Sequence, residues 1–245
     1  MRDILSLEYL EHSPSEVASS SRATVPERTG CLLHGFGASA DDLLLLGPEI
    51  DPSRRWLAPQ APAMITVGGS AFGRAWFPRD QALLERALYG GYFQDLRSRE
   101  PPELAVAARE VRRFLAARGA DWDHLVVAGF SQGAMVAAEI LRQGILEGEP
   151  IPTSTVLLSG ALIAERWWRD ASGTTVSRAV AGSPARVFAA HGRDDEMLSY
   201  SDGKALRDVL TGAGFSVTWF PFPGGHEIPQ EVIRAVRSFL GRPDS

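Results

Sequence analysis

Ser131 stands at the centre of Gly129-Phe130-Ser131-Gln132-Gly133. The apolar run Leu125-Val126-Val127-Ala128 lies before it, and the small-residue run from Ala134 to Leu141 lies after it. That order reads as strand, tight turn and helix, with a hydroxyl at the apex. Glycines flank such a turn because a sharp strand-to-helix reversal strains the serine backbone and leaves no room for bulky neighbours. The helix that follows brings its positive end close to the reacting centre. Gly-x-Ser-x-Gly recurs by chance in loops. Four apolar residues before it and a helical run after it make it the signature of an exposed nucleophile.

A serine hydroxyl is a poor nucleophile at neutral pH, so it needs a base, and the base needs an orienting acid. The chain carries five histidines. His12 lies in the N-terminal turn region, and His124 precedes the serine's strand at its wrong end. His34 and His191 open loops at strand ends, where an imidazole commonly bonds loop backbone. His226 lies in a Gly-Gly-His loop between the last strand and the last helix, which respects the chain order serine, acid, histidine. Asp194 and Asp195 both fit the acid, whereas Asp170 lies in a less regular region. An acyl-transfer site also needs two backbone N–H donors for the tetrahedral oxyanion. Gln132, directly after the serine, is one candidate. Phe36 in the loop His34-Gly35-Phe36-Gly37 is the other. That loop lacks the spaced glycines and the lysine of a phosphate-binding loop.

The elements that must position these residues alternate along the chain. A first strand is expected over Ile4 to Leu10, and a buried one over Cys31-Leu32-Leu33. Asp41 and Asp42 open a helix through Leu46, acidic residues being favoured in a first turn. Trp56-Leu57-Ala58 forms another strand, and the segment from Met64 to Gly91 reads as loop. Pro101-Pro102 begin a helix with Leu104, Ala108, Val111 and Leu115 at helical spacing, ended by Gly119. Strands follow over Thr155 to Leu158, Ala185 to Ala190 and Phe215 to Phe220. Helices are expected from about Ser201 to Leu210 and at Val232, Ile233, Val236, Phe239 and Leu240. Continuous apolar strands between helices indicate an α/β protein with a mostly parallel central sheet and helices on both faces.

The totals narrow the class. The 245 residues carry a net charge of −5, with 44% hydrophobic and 22% charged residues. That is the balance of a globular chain large enough for one α/β domain. No basic cluster suggests nucleic acid; Arg109, Arg112 and Arg113 read as a solvated helix face. No apolar run approaches the roughly 18 residues of a membrane span. The N-terminal residues lack a signal peptide's apolar core. Cys31 is the only cysteine. A buried inert thiol and a cytoplasmic location are therefore expected.

Leu33-His34-Gly35-Phe36-Gly37, Pro59-Gln60-Ala61-Pro62, Gly68-Gly69, Trp76-Phe77, the Ser131 pentapeptide, Leu158-Ser159-Gly160, His191-Gly192-x-x-Asp195 and Gly225-His226 occur in this order. From about Cys31 onward this set resembles the phospholipase/carboxylesterase family of α/β-hydrolases, which includes acyl-protein thioesterases and lysophospholipases. The resemblance implies a single α/β-hydrolase domain over 1–245, with no large cap domain and no cofactor or metal. It implies Ser131, Asp195 and His226 as the triad and Phe36 and Gln132 as the oxyanion amides. Trp76 and Phe77 are then candidate substrate-binding residues. The stretch 79–100 and the pair Trp167-Trp168 are candidates to cover an acyl pocket. The implied partner is a small-molecule or lipid ester, without integral membrane association, and a homodimer is left open. Two rivals stand beside ester hydrolysis: acyl transfer by the same triad, and a non-catalytic ligand-binding protein on the same fold.

Overall fold

The computed structural model describes residues 7–14, 28–67, 70–78, 96–171 and 185–241. Its strands are β1 (Tyr9–His12), β2 (Thr29–Leu33), β3 (Arg55–Pro59), β4 (Ala63–Val67), β5 (Ser70–Ala75), β6 (Val126–Phe130), β7 (Ser154–Leu158), β8 (Arg186–Gly192) and β9 (Ser216–Phe222). Seven of them form one sheet in the order β1-β3-β2-β6-β7-β8-β9. β1 runs antiparallel to β3, and every other neighbouring pair in that sheet is parallel. From β2 the chain moves outward to β3, then returns to place β6 on β2's other side. The loops leaving β2 and β6 therefore diverge at a topological switch point, where open parallel sheets form their binding crevice.

Helices cover both faces. They are α1 (Ala40–Leu44), α2 (Leu46–Ile50), α3 (Pro102–Ala117), α4 (Gln132–Glu147), α5 (Glu165–Ala171), α6 (Tyr200–Gly212) and α7 (Gln230–Leu240). Side chains of successive strand residues point to opposite faces. Cys31, Leu33, Val127, Leu157 and Val187 accordingly pack on one side with Leu104, Val111, Ile140 and Leu206 of the helices. Leu32, Val126, Val156 and Phe188 pack on the other with Leu43, Val232, Val236 and Phe239. Both faces being buried explains why the strands read as unbroken apolar runs. Cys31 is fully buried in β2, which pushes its thiol pKa far above the usual range. Among the described residues no helix is long and apolar enough to cross a membrane.

Several expectations need correction. Residues 63–67 and 70–75 are not loop: β4 and β5 pair antiparallel with a register shift between Ile65 and Thr66. Both strands are short, and the shift breaks the alternation by which strands are recognised. The expected first strand falls partly on residues 1–6, outside the described set; β1 runs instead to His12, which pairs with Trp56. The helix after Ser39 divides into α1 and α2, and Asp170 belongs to the short helix α5.

Candidate active site

Helix α4 begins directly at the end of β6, and Ser131 is its N-cap. Ser131 has φ 55° and ψ −115°, a positive φ on a non-glycine residue. Such a conformation costs about 1–3 kcal/mol and persists only where the surroundings impose it. Here they do. The Ser131 N–H donates to the Leu158 carbonyl at 2.9 Å, and its own carbonyl accepts from Ala134 and Met135 N–H at 3.1 and 3.3 Å. The flanking glycines are required by close approach. A Cβ on Gly133 would lie 2.0 Å from the Leu33 carbonyl oxygen, and one on Gly129 would lie 2.3 Å from the Gly133 oxygen.

β2 is the parallel neighbour of β6, with Leu33 opposite Gly129. The loop that leaves it, residues 34–37, passes so close to the β6–α4 turn, the elbow that carries Ser131, that a Cβ on Gly35 would sit 3.3 Å from the Ser131 Cβ. This loop is braced from three sides. His34 is fully buried; its Nδ1 donates to the Gly35 carbonyl at 2.8 Å, while Nε2 accepts from Ala61 N–H at 3.1 Å. Those partners require the neutral ring with its proton on Nδ1. Burial lowers the His34 pKa, against the opposing pull of the Gly35 carbonyl and Asp42. The Trp76 indole N–H donates to the His34 carbonyl at 2.8 Å. Gly37 N–H donates to the Arg74 carbonyl at 2.9 Å, and Arg74 N–H to the Ala38 carbonyl at 3.1 Å, joining β5 to the loop. Phe36 occupies the middle of this loop. Gln132 is the first residue of α4, so its N–H is among those with no acceptor inside the helix.

Trp76 and Phe77 are 2% and 3% exposed and lie in the core rather than on an open wall. The buried Gln132 side chain holds them: Oε1 accepts from Trp76 N–H at 2.9 Å, and Nε2 donates to the Phe77 carbonyl at 2.8 Å. Sequence reasoning missed this clamp. The sequence points to Gln132 for its main-chain N–H alone.

Asp195 and His226 meet where the loops after β8 and β9 run together. A Cβ on Gly192 would be 2.2 Å from the Gly225 oxygen, so the two backbones touch. Asp194 N–H donates to the Gly224 carbonyl at 2.9 Å while its side chain stays exposed. Asp195 turns inward. Its Oδ1 accepts from Met197 and Leu198 N–H, each at 2.8 Å, and its Oδ2 lies 2.7 Å from His226 Nδ1. Burial alone would raise the Asp195 pKa. The donors from His191 and His226, the charge of His226 and the Leu198 N–H outweigh it and hold the carboxyl well below the usual range. The His226 ring packs on Phe130, the residue before Ser131, with centroids 4.8 Å apart.

The remaining candidates lie elsewhere. His124 is exposed and pairs with Asp121 at 2.8 Å, at the amino end of β6. Trp168 is buried at 4% exposure, and Trp167 lies under the Arg142 guanidinium with its indole N–H on Glu100. Of the stretch 79–100, residues 79–95 fall outside the described set, and so do Gly68 and Gly69.

Comparison with known proteins agrees with this architecture. The putative hydrolase MhqD of Bacillus subtilis is 26% identical over 210 residues, spanning 85% of this chain and 90% of that protein. Acyl-protein thioesterase 1 of Gibberella zeae is 28% identical over 119 residues, about half of each chain at 48% and 47%. The crystal structure of Zea mays acyl-protein thioesterase 2 superposes with a TM-score of 0.70 at 22% identity, covering 96% of this chain and 98% of that one, a likeness of fold. The phospholipase/carboxylesterase family profile matches residues 101–242, from the start of α3 past the end of α7. Because that match takes in more than half of the chain, the protein belongs to the phospholipase/carboxylesterase family of hydrolases.

Proposed function

We propose that this protein is a serine carboxylesterase, a single α/β-hydrolase domain that cleaves esters through an acyl-enzyme on Ser131. One observation carries the reading: His226 is bonded through Nδ1 to a buried carboxylate at 2.7 Å and packed against the residue that precedes a strained serine. With Nδ1 committed to Asp195, Nε2 is the nitrogen free to exchange a proton with Ser131 Oγ.

In the forward step His226 Nε2 takes the Oγ proton while Oγ bonds to the acyl carbon. The carbonyl π electrons move to oxygen, and the Phe36 and Gln132 N–H groups bind the resulting oxyanion. Asp195 stabilises the imidazolium without itself taking a proton. Collapse restores the carbonyl and breaks the bond to the leaving oxygen or sulfur, which receives the proton from Nε2. Water repeats the sequence on the acyl-enzyme, losing a proton to His226 and releasing the carboxylic acid and Ser131. The substrate class is an ester or thioester of a small molecule or lipid. Trp76 acts from behind the loop, its indole N–H holding the His34 carbonyl two residues before Phe36.

The test is stopped-flow hydrolysis of a p-nitrophenyl ester combined with intact mass measurement. A burst of nitrophenol and an acyl mass added at Ser131 are expected, and both should vanish in Ser131→Ala. Removing a triad serine costs about 10⁶ in rate. If Ser131→Ala keeps even a tenth of the wild-type turnover, the reading is wrong.

A further inference from the structure

Asp195 is served by a second histidine. His191 sits near the end of β8 and is fully buried. Its Nε2 lies 3.0 Å from the Leu198 carbonyl and 3.3 Å from Asp195 Oδ2, the same oxygen that His226 reaches. Both neighbours of Nε2 are acceptors only, so Nε2 carries a proton that is shared between them. Nδ1 is buried and has no hydrogen-bond partner among the described residues. Gly203 of α6 closes over it: a Cβ there would lie 2.3 Å from Nδ1. An imidazole buried with one nitrogen unpaired costs free energy that an apolar side chain would not. The polar contacts of the ring are those at Nε2.

Those contacts close a ring. Leu198 donates its N–H to Asp195 Oδ1 and accepts from His191 through its carbonyl. Leu198 thus fixes both the carboxylate and the turn that carries it, and His191 fixes Leu198 to the end of β8. We propose that His191 is a positioning residue for Asp195: its Nε2–H pins the 195–198 turn to β8 and takes part of the charge at Oδ2, so that the carboxylate presents a single orientation to His226. This inference rests on the Ser131–His226–Asp195 reading above and adds a fourth side chain to it.

The charged and titratable surroundings can be named. Tyr200 of α6 meets the His191 ring edge-on at 6.2 Å, and Arg193 and Lys204 lie over the Tyr200 ring at 5.4 and 5.2 Å. His226 shares Oδ2, and Asp194 and Glu196 flank Asp195 with exposed side chains. Without the His191 donor, the charge on Oδ2 acts on His226 alone and stabilises its imidazolium more. The acid limb of the kcat/KM profile then moves to higher pH.

The experiment compares His191→Met, which removes the donor, with His191→Gln, whose amide N–H can replace it. Gly203→Ala is the third variant, pressing a methyl group against Nδ1 and displacing the ring without changing its chemistry. Rates are normalised to the fraction of each protein that a fluorophosphonate labels. His191→Met and Gly203→Ala should lower kcat by about 10–100-fold, as a misplacement on the 1 Å scale does, with KM within about twofold. Both should raise the acid limb. His191→Gln should recover most of kcat and the wild-type limb. Normal kcat and an unmoved limb in both His191→Met and Gly203→Ala would overturn the proposal. So would equal losses in the Met and Gln variants, which would reduce His191 to packing. Asp195→Asn serves as the control: if it keeps wild-type turnover, the triad reading itself fails. If it is inactive while the His191 variants are normal, only this inference fails.

Discussion

Gln132 and Trp76 are joined by a hydrogen bond that no sequence spacing announces: Oε1 of Gln132 accepts from the Trp76 N–H at 2.9 Å across 56 residues. The same side chain donates to the Phe77 carbonyl, so one buried amide ties the helix after the elbow to the support of the facing loop. Its removal leaves a buried N–H and a buried C=O unpaired. Gln132→Ala should destabilise the protein by about 2–4 kcal/mol in urea unfolding. It should also lower kcat, although the main-chain amide is untouched. A loss under about 0.5 kcal/mol would mean that water replaces the side chain's bonds at no cost.

The acid can be tested against its neighbour. Asp195→Asn would place an amide N–H or a weaker acceptor opposite His226 Nδ1 and disturb the tautomer. Its kcat should fall by about three to four orders of magnitude. Asp194→Asn changes an exposed side chain whose backbone makes the structural bond to Gly224, so a loss of no more than about tenfold is expected. If Asp194→Asn proves the more damaging substitution in steady-state kinetics, the acid is assigned one residue too late.

Gly133→Ala tests the elbow's geometry without touching a reactive group. The added methyl carbon would lie 2.0 Å from the Leu33 oxygen and 2.7 Å from that of His34. Backbone cannot yield there without moving β2 away from α4. The expected outcome is an insoluble protein, or a soluble one that a fluorophosphonate no longer labels. Normal labelling of Gly133→Ala would show that β2 and α4 can separate at little cost.

Stability should fall with acid in two stages. Burial depresses the His34 pKa, so below about pH 6.5 the unfolded chain binds a proton there that the folded chain refuses, and stability declines as pH drops. Asp195 is depressed as well: its contribution is intact above about pH 4 and is lost as pH falls below that value. Urea midpoints measured from pH 8 to pH 3 should show both declines. His34→Asn should flatten the first, and Asp195→Asn the second. A wild-type midpoint constant between pH 7 and pH 5 would contradict the neutral, doubly bonded state of His34.

The sheet's parallel strands and the strand-turn-helix around Ser131 are legible in the sequence, because each is written in contiguous residues. An apolar run buried on both faces, two glycines and a helical repeat need no distant partner to be recognised. The β4–β5 pair is not legible in that way: it is short, it carries a bulge, and its place is set by pairing with the loop after β2. Asp194 and Asp195 are alike in sequence. A backbone bond from Asp194 to Gly224, on a loop thirty residues away, decides which one turns inward. Trp76 and Phe77 read in the sequence as substrate-binding candidates, and only the packing of the folded chain buries them at 2% and 3% exposure. His191 differs in nothing local from His34, yet its Nε2 comes to lie beside Asp195 because both sit at one end of β8 under α6. Local spacing selects strands, turns and helices. Which of two adjacent polar groups is buried depends on partners that the chain meets only after the sheet has closed around them.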